Sequence, residues 1–398
     1  HGGAFLCGSG SGSWTDGVKF ARDHGIVVVT INYRLGILGG LYLSRGQANF
    51  GLLDQIESLR WVQDNIAAFG GDPSRVTIAG QSAGGMSVAA LLVSPLSKWL
   101  FARAIVESGH IGVTTTVRDA AKLTNQLAGQ FGLDPAADFV QKLRELSTLR
   151  IAAVQRANGI SRPTFPCVTD EVSLPDKPLD YLATGAKNGV DLMIGTTSEE
   201  NRLFNFTGWS ADSSVTLEQY LRLYLAEDDV AQAVELYRGI PTADAMELIA
   251  TEHNWTQPCR ELALTYAAAG NRVFHYEFAW KSHVAGLGAA HLVDLPIWWN
   301  NLDAPGVDEL LGAGIATDSE AVAVAEGASS AWANFITTGD PASAELGEWP
   351  AFTPETMLTK VVDTQPEVIG HRLADRLDFW RDHSATGPMQ AMIESAQQ

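Results

Sequence analysis

Gly80-Gln81-Ser82-Ala83-Gly84 sets one serine between two glycines. The strand-like run 75–79 comes directly before it and a helix-like run, 85–93, directly after. A serine on a sharp strand-to-helix turn stands clear of the sheet, and the glycines leave room for the turn and for a substrate. Such a hydroxyl is a nucleophile for acyl transfer. The helix that follows aims its free N–H groups and partial positive charge at the place where an oxyanion would form. The other reading is an ordinary glycine-rich turn; the flanking strand and helix argue against it.

A serine nucleophile needs a base, and a base needs an acid to orient it. His291 lies in Gly288-Ala289-Ala290-His291-Leu292-Val293-Asp294, a small-residue loop late in the chain. With a nucleophile elbow of this kind the partners follow in the order serine, acid, histidine. His275, within a predicted strand, and His283, just past it, are the rivals. The acid belongs at a strand end between Ser82 and His291. The strand 191–196 opens into Thr197-Ser198-Glu199-Glu200-Asn201, where either glutamate can hold an imidazole; spacing alone does not choose. Asp170 and Asp294 are outside candidates. Oxyanion donors are expected from Ala83 N–H and from the loop His1-Gly2-Gly3-Ala4. The competing view of that loop is a flexible glycine-rich start, since Gly8 to Ser13 alternate glycine and serine.

Positioning these groups takes a sheet. Runs 26–31, 75–79, 103–107, 191–196 and 272–280 are apolar and rich in β-branched residues, as strands buried on both faces are. Between them lie helical patterns. Leu52, Ile56, Leu59, Val62 and Ile66 make one apolar stripe, stopped near Phe69-Gly70-Gly71-Asp72-Pro73. The helix after Ser82 ends at Ser94-Pro95. This alternation predicts a doubly wound α/β fold with a mostly parallel sheet. From about 208 to 270 helical runs such as 217–226 and 230–237 dominate, read as a helical section within one domain spanning 1–398. Trp298 and Trp299 fit either a pocket wall or core packing.

The formal net charge of −19 argues against nucleic acid as a partner, since phosphate binding needs basic patches. No apolar run is long enough to span a bilayer. Cys7, Cys167 and Cys259 show no metal-ligand spacing and no disulfide framework. Two sequons, at Asn205 and Asn254, matter only in a secreted eukaryotic protein. The chain opens on a loop motif without an initiator methionine, so an N-terminal truncation is expected and localisation is left open.

Longer segments carry a resemblance: HGGAF at 1–5, VVVTINYRLGILG at 27–39, NFGLLDQIESLRWVQDNIAAFGGDPSRVTIAGQSAGG at 49–85, GTTSEENRLF at 195–204, GAAHLVDLPIWW at 288–299, WANFITTGDP at 332–341 and DFW at 378–380. The chain resembles the type-B carboxylesterases, which include cholinesterases and bacterial para-nitrobenzyl esterases. The resemblance implies an α/β-hydrolase fold and hydrolysis of small carboxylic esters through an acyl-enzyme, with no metal or organic cofactor. It implies Ser82 as nucleophile, His291 as base and Glu200, aligned with the glutamate of the family's D-E-G, as acid. It also implies Gly3, Ala4 and Ala83 as oxyanion donors, with Gln81, Ser108 and Asp294 steadying the site. Gln81 stands where cholinesterases carry glutamate, Asn201 replaces the glycine after the acid, and nothing supports choline specificity. In this family the strand before the H-G-G loop lies inside the sheet, so the 398-residue chain is expected to be less stable than its parent. The alternatives are a catalytically silent binding or adhesion protein on the same fold, and an amide, carbamate or polyester hydrolase with the same triad.

Overall fold

The computed structural model describes residues 1–134, 139–157, 165–185, 189–206 and 215–387. Its centre is a six-stranded sheet in the order β1-β2-β5-β6-β7-β8. The eight strands are β1 (Thr77–Gln81), β2 (Arg103–Glu107), β3 (Thr114–Thr116), β4 (Cys167–Thr169), β5 (Asp191–Thr197), β6 (Val273–Phe278), β7 (Thr359–Val362) and β8 (Glu367–Ile369). β1 to β7 of the large sheet pair in parallel, and β8 closes one edge antiparallel. β3 and β4 form a separate parallel pair.

The middle strands are apolar on both sides because both faces are covered. Ala104 and Val106 join a cluster with Leu192, Ile194, Val88 and Leu92, whereas Ile105 and Met193 between them point into the opposite cluster with Tyr276, Phe278, Trp332 and Phe335. This is the period-two alternation of a strand with two buried faces. Trp298 belongs to the second cluster, fully buried and stacked on Trp332 with ring centroids 5.3 Å apart. It is core. Trp299 is only partly buried against that cluster.

Four expected strands form, each within two residues of its predicted limits. The stripe from Leu52 becomes the helix Phe50–Asn65, followed by a 3-10 turn and ended by Gly70 at φ 84°. The elbow helix, Ala83–Val93, begins two residues earlier than predicted. In the 208–270 section, residues 208–214 lie outside the described residues, and helices Leu217–Leu221, Glu227–Leu236, Thr242–Thr251 and Gln257–Ala268 fill the rest.

The run 26–31 is a correction. It is extended but pairs with no strand among the described residues, and Val27 and Val29 are each 43% exposed. A cleft of about 750 Å³ separates it from β1. β-Branched composition favours extended backbone, but a strand exists only where a neighbouring backbone supplies the ladder. The pattern missed β7, whose sequence interrupts an apolar run with Lys360. That lysine is buried, and its ammonium donates to the carbonyls of Leu346 and Glu348. β3, β4 and the edge strand β8 were too short to register.

Candidate active site

Ser82 follows β1 without a spacer, at φ 58° and ψ −126°. That conformation is strained for a residue with a Cβ. Neighbouring backbone holds it: Ser82 N–H donates to Glu107 O at 3.0 Å, and Met86 N–H donates to Ser82 O at 2.8 Å. Glycines make the turn possible. A Cβ on Gly80 would meet the carbonyl of Gly84 at 2.4 Å.

The loop at the start of the chain packs against this elbow. The Cβ position of Gly2 lies 3.0 Å from Ser82 Cβ, and that of Gly84 lies 3.0 Å from the His1 carbonyl. Gly3, Ala4 and Phe5 all have positive φ, 111°, 54° and 61°. The loop closes on itself, Leu6 and Cys7 both donating their N–H to Gly3 O.

His291 Nδ1 meets Glu200 Oε2 at 2.5 Å. Glu200 is fully buried at the end of β5. Its other oxygen, Oε1, accepts from Ser108 Oγ at 2.5 Å and from Thr197 N–H at 2.8 Å. Three hydrogen bonds therefore satisfy a carboxylate taken out of water. Glu199 turns elsewhere. It accepts from Arg202 Nε and Ala289 N–H, each at 2.9 Å, and Lys281 Nζ lies 3.5 Å away. Burial works to raise its carboxyl, but these donors and cations outweigh burial and hold it below the usual value. Asn201, in place of a glycine, donates its backbone N–H to Thr251 Oγ1 at 3.1 Å.

His275, His283 and Asp170 are engaged elsewhere. His275 Nδ1 pairs with Thr359 Oγ1 at 3.0 Å, and burial pushes its imidazole down to about 3. His283 packs beside Trp280 and donates its backbone N–H to Leu311 O. Asp170 caps a turn by accepting from the N–H groups of Val172, Ser173 and Leu174. Asp294 is fully buried; burial, then the charge of Glu200, pushes its carboxyl up to about 8.

Nε2 of His291 has an unexpected neighbour. The Gln81 carboxamide nitrogen lies 3.3 Å from His291 Nε2, while no hydrogen bond reaches it from Ser82 Oγ among the described residues. Two aromatic rings flank the imidazole: Trp255 at 4.6 Å and Phe204 at 5.5 Å between centroids. Trp255 comes from a π-helical turn, Glu252–Thr256, of the kind that interrupts helices at functional sites. Sequence reasoning missed Trp255, because one tryptophan in a helical stretch has no spacing relative to Ser82. It also missed Glu107, a buried acid of β2 raised by burial and by Asp294. An acidic residue in a wholly buried strand was the available signal.

A model of the carboxylesterase family matches residues 1–380. The para-nitrobenzyl esterase of Bacillus subtilis is 36% identical over 92% of this chain and 75% of its own length. Phenmedipham hydrolase of Pseudarthrobacter oxydans is 31% identical over 94% of this chain and 76% of its own. Among solved structures, a carboxylesterase of Geobacillus stearothermophilus superposes with a TM-score of 0.86 at 32% identity, covering 96% of this chain and 81% of that one. Matched from its first residue to beyond its last strand, and related to enzymes over most of their length, the chain belongs to the carboxylesterase family and is a carboxylic-ester hydrolase with an α/β-hydrolase fold.

Proposed function

We propose that the chain hydrolyses small carboxylic esters through an acyl-enzyme formed on Ser82, with His291 as general base and Glu200 as its orienting acid. The observation that carries this reading is the 2.5 Å contact from His291 Nδ1 to a fully buried, otherwise hydrogen-bonded Glu200, set beside a strained serine elbow. Glu200 keeps the proton of the neutral imidazole on Nδ1 and leaves the Nε2 lone pair free to act as base.

Ser82 Oγ attacks the ester carbonyl carbon as its proton passes to Nε2. The carbonyl oxygen becomes an oxyanion held by the N–H groups of Gly3, Ala4 and Ala83. Each such donor contributes about 3 kcal/mol of barrier lowering. The tetrahedral intermediate collapses, the C–O bond to the alcohol breaks, and His291 gives its proton to that oxygen. Water then repeats the sequence on the acyl-enzyme, returning Ser82 and releasing the acid. Ser108 steadies Glu200, and Asp294 packs behind the pair. The rings of Trp255 and Phe204 limit where the imidazole can tilt.

Ser82→Ala should abolish turnover of p-nitrophenyl acetate and labelling by a fluorophosphonate, while circular dichroism stays unchanged. Residual turnover within tenfold of the parent would overturn the assignment of the nucleophile.

A further inference from the structure

We infer that Gln81 is a latch on the catalytic base: in the resting site its carboxamide occupies the His291 lone pair that Ser82 must use. This rests on the triad reading above and adds to it the step that frees the base.

The chemistry of the hydrogen bonds fixes which group donates. Glu200 Oε1 already accepts two hydrogens, from Ser108 and Thr197, so Oε2 meets Nδ1 as an acceptor as well. In the neutral imidazole, Nδ1 then carries the proton and Nε2 offers a lone pair. A carboxamide 3.3 Å from a lone pair must present its N–H there, because the reversed amide would set oxygen against nitrogen, acceptor to acceptor. One lone pair takes one good donor. An amide proton held there cannot be transferred at neutral pH, whereas the Ser82 hydroxyl proton can.

The latch is built to move only its side chain. The Gln81 backbone ends β1 and is registered against Glu107 of β2. The side chain is 4% exposed and lies beside Gly2, whose Cβ position is 3.3 Å from Gln81 Oε1. Gly2 belongs to the same loop that supplies the proposed oxyanion donors. A substrate carbonyl that settles this loop also changes the room left for the carboxamide. Release of the base is thereby tied to occupancy of the site.

The test uses the full chain with 15N-labelled histidine and glutamine side chains. In the unaltered protein, a scalar coupling across the hydrogen bond should connect Gln81 Nε2–H to His291 Nε2. Its absence, with the His291 resonances assigned, overturns the latch without any variant. In Gln81→Met, of similar length but without a donor, the Nε2 resonance should move downfield. Fluorophosphonate labelling of Ser82 should run roughly fivefold faster, the factor that corresponds to one ordinary hydrogen bond. Gln81→Leu should behave alike. Labelling that is unchanged or slower in a variant with parental circular dichroism refutes the latch, since a merely structural side chain gives no gain on removal. If the unaltered chain takes no label at Ser82, the triad reading fails, while the coupling still reports on the contact itself.

Discussion

The two adjacent glutamates after β5 separate by their partners. Glu200 faces imidazole, a hydroxyl and a backbone amide inside the protein; Glu199 faces Arg202 and Lys281 near the surface. Replacing Glu200 by glutamine puts an N–H or a weaker acceptor against Nδ1 and spoils the tautomer. By the behaviour of other serine triads, Glu200→Gln should lower kcat about 10³–10⁴-fold with little change in KM. Glu199→Gln should leave kcat within about threefold, since its partners lie off the reaction path, and its cost should appear as reduced stability. Steady-state kinetics on the two variants checks both; equal losses would undo the choice of Glu200. Spacing could not separate the pair because both belong to one turn. Which carboxylate turns inward depends on Ser108 and His291, both distant in the chain.

The elbow is a matter of backbone clearance. Gly80 and Gly84 come within contact across the turn, and a Cβ on Gly109 would lie 2.4 Å from the Gly85 carbonyl carbon. These atoms are backbone on both sides and cannot swing away. Gly80→Ala should cost about 1–3 kcal/mol in urea unfolding and slow Ser82 labelling by displacing the turn. Gly129, exposed within the helix Val117–Phe131 with nothing near its Cβ position, gives the opposite expectation. Gly129→Ala should stabilise by about 0.5–1 kcal/mol without touching activity. If both glycines respond alike, clearance is not what the elbow requires. At this scale the sequence was readable where a motif is contiguous, as in 77–93, and unreadable where pairing decides. The run 26–31 has strand composition but no ladder, and β7 has a ladder despite its lysine.

Across the whole molecule, buried acids set the pH response. Burial raises Glu107; burial and neighbouring charge push Asp294 up to about 8; burial first pushes Glu247 and Glu252 up to about 7. In the unfolded chain these groups ionise near pH 4. Between about pH 4 and 8 the unfolded state therefore releases carboxyl protons that the folded state keeps, and above about pH 6.5, where His275 and His110 are neutral in both states, stability falls as pH rises. The net charge of −19 pushes the same way through self-repulsion. Tm should decline from about pH 6.5 to pH 8, above the range where the depressed imidazoles of His275 and His110 act in the opposite direction, and Asp294→Asn should flatten part of that decline. A Tm that holds level or climbs over this range would mean the buried carboxyls are ionised in the folded protein.

What the sequence determined by itself was local or periodic: a serine elbow of adjacent residues, strands apolar on both faces, helices with one stripe, and a family signature spread over most of the chain. These depend on neighbours along the backbone, and short-range sterics and burial write them into residue order. The tertiary structure alone decided that Trp298 is core while Trp255 flanks His291, and that the Gln81 carboxamide lies against His291 Nε2. Each of these compares side chains brought together from segments far apart in sequence. Such contacts are set by how β1, β2 and β5 align, and no single segment contains that information.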